Sequence, residues 1–335
     1  MPREEKLQKR SLFVFVLLAV LLTLSVFLYI YSRTYAKAHR LNLEMDRAAF
    51  DSIMARTVPA LIGMAVAAVL TAVVSLSFQT VTGSRILTPS MFGFDSVYVG
   101  TQTILVFMFG SVSRAFVDPY INYVITAGTI IAVSMMMYGF ILRKNKNNLV
   151  FLLMFGLILS GIVRSGSAYL QVIMDAGDYN RVKAATSVTV NNMNTRIIFM
   201  ALPLMLAVIV AMLIRHKTYD VMALGENSAK SLGIHYEKEI RLNLFLISLG
   251  MSVTTALIGS LTFLGLLAVN IARELFRTHR HIYLFIGSAG LSALALIAGQ
   301  ALSELLQGAV PVTVIIDLVG CSYMFYLILK EGRVK

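Results

Sequence analysis

The 335-residue chain is 58% apolar and 14% charged, with a mean hydropathy of +0.78, whereas soluble domains are about 45–50% apolar and about 25% charged. Membrane helices take up nearly all of that length, which excludes a large soluble catalytic domain and moves any nucleotide-driven chemistry to another chain. The net charge of +12 comes from basic residues scattered between apolar runs, not from the clustered face that nucleic acid requires, and the single cysteine, Cys321, excludes an internal disulfide framework.

Crossing a bilayer takes roughly 20 apolar residues per helix, and apolar segments fall at 11–31, 58–80, 90–112, 121–142, 148–168, 196–214, 240–258, 259–272, 283–305 and 311–329. They are continuously apolar and do not alternate with period two, which excludes a β-barrel. The expected fold is an all-α membrane protein: one transmembrane domain over 1–335, a polytopic bundle of about ten helices, to which the family resemblance given below adds a short cytoplasmic coupling helix. Only Gly259-Ser260 interrupts 240–272. With the N-terminus cytoplasmic, the inside segments hold 19 Lys and Arg and the outside segments 10. The positive-inside rule then puts 1–10, 215–239 and 330–335 in the cytoplasm.

Arg3, Lys6, Lys9 and Arg10 precede the first apolar run, and Ala36-Lys37-Ala38 resembles a cleavage site. The run has 21 residues against about 7–15 in a secretory signal, so a retained first helix is expected. With no tryptophan, Tyr29, Tyr31, Tyr35, Tyr120 and Tyr123 supply the interfacial anchors.

Small residues recur at helical spacing in the second span (Gly63, Ala65, Ala67, Ala68) and the fifth (Gly156, Ser160, Gly161). They let backbones approach where lipid removes the hydrophobic drive, so a tight bundle is implied. Asp95, Arg164, Glu304 and Asp317 fall within spans or at their ends. A charge at a helix centre costs roughly 2.5–3.5 kcal/mol and therefore faces protein or water. Arg164 and Glu304 are near span ends and can snorkel. Asp317, between Ile315-Ile316 and Leu318-Val319, either lines a pathway or bonds a neighbouring helix. An ion-coupled carrier would use Asp317, Asp95 or Glu304 to carry a proton.

Between spans six and seven, a short helix is expected over 219–231, where Val221, Met222, Leu224 and Ala229 give a small apolar face. Gly225 allows a turn and Gly233 a C-cap. Gly225-Glu226-Asn227-Ser228-Ala229-Lys230-Ser231 imitates a phosphate-binding loop, but the second glycine is missing and no strand precedes it, so no nucleotide site is expected in this chain. The histidines suggest no metal centre: His279 and His281 diverge on a helix, His216 and His235 sit in basic inner loops, and His39 stands alone. A membrane-embedded enzyme could draw only on His216 with Asp220, too little for a metal or an acid–base site. The 18 methionines read as flexible filler between helices.

Three stretches resemble a known family. The first is Arg56, then Phe78-Gln79, then 84–96 with Pro89 and Gly93; the second is 220–234, with Leu224-Gly225 and Leu232-Gly233-Ile234; the third is 258–273, with Val269-Asn270 where proline-histidine is usual and Arg273 kept. They are similar to the permeases of ATP-binding-cassette (ABC) importers for ferric siderophores, haem and vitamin B12, most of all the ferric-siderophore branch. The similarity runs from about 56 to 329.

The resemblance implies a permease and not an enzyme, in the bacterial inner membrane with both termini cytoplasmic, moving a ferric siderophore inward. As partners it implies a second permease, identical or homologous, two ATPase subunits that hold ATP and magnesium, and an external substrate-binding protein. This chain would bind no cofactor or metal. Val221, Met222, Ala223, Leu224, Gly225, Ala229, Leu232 and Gly233 would form the coupling segment seated in an ATPase groove. Ser160, Ser165, Gly166 and Ser167 on the fifth helix, with Asp317, are the candidate pathway residues, ordinary small-residue packing being the other reading. Arg47 and Arg56, and after them Arg40, are candidates for docking the binding protein.

Overall fold

The computed structural model describes residues 2–36, 47–144, 149–187 and 194–332; Lys37, Ala38, His39 and Arg40 lie outside them. Among the described residues there is no strand. In chain order come α1 (Pro2–Tyr31), a π-helical turn (Ser32–Ala36), α2 (Arg47–Thr82), a 3-10 turn (Pro89–Phe92), α3 (Phe94–Phe109), α4 (Arg114–Val117), α5 (Pro119–Lys144) and α6 (Leu149–Ile173). They are followed by α7 (Ala176–Thr186), α8 (Thr195–Ile214), α9 (His216–Met222), α10 (Glu226–Ser231), α11 (Tyr236–Ile258), α12 (Leu264–Phe276), α13 (His281–Leu305) and α14 (Val312–Gly332).

Every apolar segment read from the sequence is occupied by a helix, but the spans are unequal. Among the described residues seven helices are long and apolar enough to cross a membrane, while Phe94–Phe109 and Val312–Tyr326 are shorter and α12 has 13 residues. Two boundaries need correcting. The second helix starts at Arg47 and not at 58, because Ala48, Ala49, Met54 and Ala55 favour helix despite the charges among them and the chain stays helical through Pro59. The eighth segment is helical over Leu264–Phe276 and not 259–272, since Gly259, at φ 97°, closes α11 and a short link follows.

The helices group into two compact units: Met1–Leu76 with Phe263–Lys335, and Ser77–Thr262. In the first unit, α13 packs against α1, α12 and α14. Small residues set the spacing. A side-chain carbon on Gly265 would lie 2.0 Å from Ser75 Oγ and 3.1 Å from the Thr71 carbonyl, so α12 rests almost directly on the backbone of α2. Ser292 Oγ donates to the Ala68 carbonyl at 2.8 Å, tying α13 to the same helix. Gly265→Val should therefore destabilise the protein by about 1–3 kcal/mol through overpacking, read as a lower melting temperature in detergent. Gly128→Val, with nothing within 4 Å of the added carbon, should leave the melting temperature unchanged.

In the second unit, α3 packs on α6 by the same device: a carbon on Gly100 would lie 2.7 Å from Val163 Cγ1, and one on Gly156 would lie 3.1 Å from Phe92 Cα. Phe92 seats the 3-10 turn edge-on against Phe78 and Tyr138, with ring centres 5.0 and 5.7 Å away. Deeper along α3, Gln102 Nε2 donates to Asn122 Oδ1 and Thr126 Oγ1 on α5 at 2.9 and 2.8 Å.

Candidate functional site

The lever expected as one helix over 219–231 is two helices. Gly225, at φ 92°, separates α9 from α10, and only glycine holds that conformation without strain. Gly233, at φ 85°, closes α10 as a Schellman cap: its N–H bonds the Lys230 carbonyl at 3.0 Å and Ile234 N–H bonds that of Ala229 at 3.1 Å.

The expected apolar face divides as well. Tyr219, Met222 and Ala229 are buried, whereas Leu224 and Leu232 are 61% and 62% exposed. Val221 is half-buried, and Ala223, Gly225 and Gly233 are exposed. One set anchors the lever and the other is presented outward.

The anchor is polar at its centre. Tyr219 OH donates to Asn243 Oδ1, Asn243 Nδ2 donates to the Glu239 carbonyl at 2.8 Å, and Arg215 pairs with Glu239. Both pairs are 24 residues apart and one turn apart from each other, so α9 lies beside the start of α11 in the same sense. Desolvation keeps the Tyr219 phenol above the usual tyrosine range, so at neutral pH it remains a donor. Sequence reading missed these residues; the signal available was Arg215 and Tyr219 matching Glu239 and Asn243 at equal spacing. Lys230, which a phosphate loop would need for its ligand, donates to Glu226 at 2.7 Å, and that hydrogen bond holds the ammonium above the usual lysine range.

The candidate pathway residues separate by face. Ser160 and Ser167, one heptad apart on α6, point into the protein: Ser160 Oγ is 2.6 Å from Ser96 Oγ, and Ser167 Oγ bonds the Val163 carbonyl at 2.7 Å. Ser165 and Gly166 lie on the exposed side, in a stripe with Ile158, Ile162 and Tyr169. The residue before Ser96 is Asp95, whose Oδ2 accepts from Thr262 Oγ1 at 3.2 Å, and Thr262 is 3.1 Å from Ser260. Ser160 and Asp95, singled out separately, thus belong to two polar contacts made from adjacent residues at the start of α3, one to α6 and one to the α11–α12 link. Ser96, Ser260 and Thr262 were not foreseen, because hydroxyls in a membrane span are as common in packing as in function.

The remaining candidates do not converge. Arg47 and Arg56 lie nine residues apart on α2, which at about 3.6 residues per turn puts them on opposite sides of the helix; they were expected together in a loop. Arg164 is exposed on α6. Glu304 sits on the last turn of α13. Asp317 is half-buried on α14.

The fold defines a class: an all-helical, multi-pass membrane protein. Residues 14–330 match the FecCD transport family, and the chain belongs to it. It is 36% identical over 260 residues to the petrobactin import system permease protein YclO of Bacillus subtilis, which covers 77% of this chain and 82% of that one. It is 27% identical over 288 residues to the petrobactin import system permease protein FatC of Bacillus anthracis, covering 86% of this chain and 81% of the relative. A metal-chelate type ABC transporter solved in an inward-facing conformation shares the fold, with a TM-score of 0.80 and 18% identity over 95% of this chain and 99% of the other. The chain is therefore a multi-pass transport permease of the ABC-importer type.

Proposed function

We propose that this permease carries a ferric siderophore into the cytoplasm, driven by ATPase subunits on its inner face. The observation that carries the cargo class is the 36% identity to a petrobactin import permease over 77% of this chain. The chain works beside a second permease, identical or homologous, with two ATPases that hold ATP and magnesium and an external binding protein that selects the chelate. Both termini face the cytoplasm of a bacterial plasma membrane. The outward side chains of the lever, Leu224 and Leu232, sit in the ATPase groove with Ala223, Gly225 and Gly233 allowing close approach, while Val221, Met222 and Ala229 brace them. Arg56 meets an acidic side chain of the binding protein; Arg47, on the other side of α2, serves it less directly. Ser165 and Gly166 lie along the pathway, and Ser160, Ser167 and Asp317 stand behind or beside it.

Uptake of a radiolabelled ferric siderophore in a deletion strain tests this. Uptake should be lost with the gene, return with it, stop when ATP is depleted, and persist when the proton gradient is collapsed with ATP maintained. The opposite energetic pattern would reinstate proton coupling through Asp317, Asp95 or Glu304. The two faces of α6 give a second prediction. Ser165→Trp should cut uptake at least about tenfold, by obstructing the pathway, with no change in melting temperature. Ser160→Val should lower the melting temperature by leaving buried Ser96 without its partner, at about 1–3 kcal/mol. Equal uptake by Ser165→Trp and wild type would remove the exposed stripe from the pathway.

A further inference from the structure

Two membrane spans of the second unit begin at one place. Pro119 opens α5 and Thr195 opens α8, and their first residues, with α4, surround a pocket of about 650 Å³ that includes Val112, Arg114, Val117, Tyr120, Asn194 and Arg196. Because both spans start here, the pocket lies at the membrane–water boundary, at the depth of lipid headgroups.

Among the described residues the pocket lining carries two guanidinium groups against one carboxylate. Arg114 and Arg196 are exposed, and among the described residues neither side chain enters an ion pair. The carboxylate that lines the pocket, Asp118, is taken up in capping α5: its Oδ1 accepts from the N–H groups of Tyr120 and Ile121 at 2.9 and 3.4 Å. Asn194 Oδ1 caps α8 by accepting from Arg196 N–H at 3.0 Å. The first turn of α8 adds the positive end of a 20-residue helix. The rim, by contrast, is apolar: Val112 is 80% exposed and Val117 56%, and Ile121, Val124, Phe199 and Met200 continue that surface along both spans.

Two guanidinium groups suit the geometry of phosphate oxygens, tyrosine belongs at the interface, and exposed valines beside them suit acyl chains. A protein surface carrying acidic groups would meet a polar rim instead. We propose that this pocket binds the phosphate of an anionic phospholipid, with Arg114 and Arg196 as its ligands. The site is independent of the cargo.

Native mass spectrometry of the full chain with its associated subunits, titrated with phosphatidylglycerol, tests the proposal. One phosphatidylglycerol per chain should stay bound at activation energies that strip phosphatidylcholine. Arg114→Ala with Arg196→Ala should weaken its retention at least about tenfold with the melting temperature unchanged, and the Lys pair should restore part of it. Three results would overturn the assignment. One is retention unaffected by the double replacement. Another is displacement of the lipid by millimolar inorganic phosphate, which would make this a free-anion site. The third is loss of an external binding protein at unchanged lipid retention, which would make it a protein contact.

Discussion

A chain carrying Leu224→Asp and Leu232→Asp should reach the membrane folded, lose its ATPase on purification, and take up ferric chelate at least about a hundredfold more slowly. The two leucines are 61% and 62% exposed, so neither contributes much to the fold. If a groove on the ATPase covers them, each contributes roughly 1.5–3 kcal/mol of burial, and every 1.4 kcal/mol is about a factor of ten in affinity. The carboxylates add a desolvation penalty on top of the lost burial. Leu224→Met with Leu232→Met, which keeps volume and apolarity, should behave as wild type. Copurification of the ATPase, radiolabelled uptake and the melting temperature are read on the same preparations. An ATPase retained in full by the Asp pair would remove the coupling role from this segment.

The second large effect is expected at Asn243. Asn243→Leu removes the acceptor to which the fully buried Tyr219 hydroxyl donates, and losing one buried hydrogen bond costs about 0.5–1.5 kcal/mol. Tyr219→Phe should cost less, because Asn243 keeps its bond to the Glu239 carbonyl. The double variant should recover much of the loss, since removing both partners is nearly neutral. A cycle of denaturation midpoints then gives the coupling between them. Uptake per folded molecule should stay low in the double variant, because only the Arg215–Glu239 pair then ties α9 to α11 and the lever gives under load. Full uptake there would mean that the bond serves stability alone.

The same pair predicts a pH effect. Burial raises the Tyr219 phenol above its ordinary value of 10.0. From about pH 10 the unfolded chain loses this proton while the folded chain keeps it, so stability falls with rising pH until the folded phenol also ionises. Tyr219→Phe should flatten that part of the profile.

Much of the fold was legible because a bilayer simplifies the code. An apolar run of about 20 residues has few alternatives to a helix when no water is present to satisfy its backbone, and helices do occupy the segments read in that way. The misreadings have local causes. Residues 47–57 carry Arg47, Asp51 and Arg56 and were read as a loop, although charges are compatible with helix outside the hydrocarbon. Gly259-Ser260 was seen as a break, but not that the helix after the link would have only 13 residues. Gly225 was recognised as a turn residue; that it would split the lever in two depended on Tyr219 and Met222 facing inward.

The site was legible in part for the same reason. Leu224-Gly225 and Leu232-Gly233 stand out as motifs because glycine at positive φ leaves a mark in sequence, and both do hold positive φ. The opposed placement of Arg47 and Arg56 follows once the helix is known to include both.

By itself, then, the sequence determined that this is an all-helical, multi-pass membrane protein with glycine turns at Gly225 and Gly233, since hydropathy and glycine punctuation are properties of single segments. Which serines face inward, that Asp95 meets Thr262 and Ser96 meets Ser160, that Tyr219 and Asn243 join α9 to α11, and that Arg114 and Arg196 share a pocket were decided only by tertiary structure. Those are relations between side chains 24 to 167 residues apart, and hydroxyls, amides and guanidiniums carry no periodic signal to announce a partner so distant in the chain.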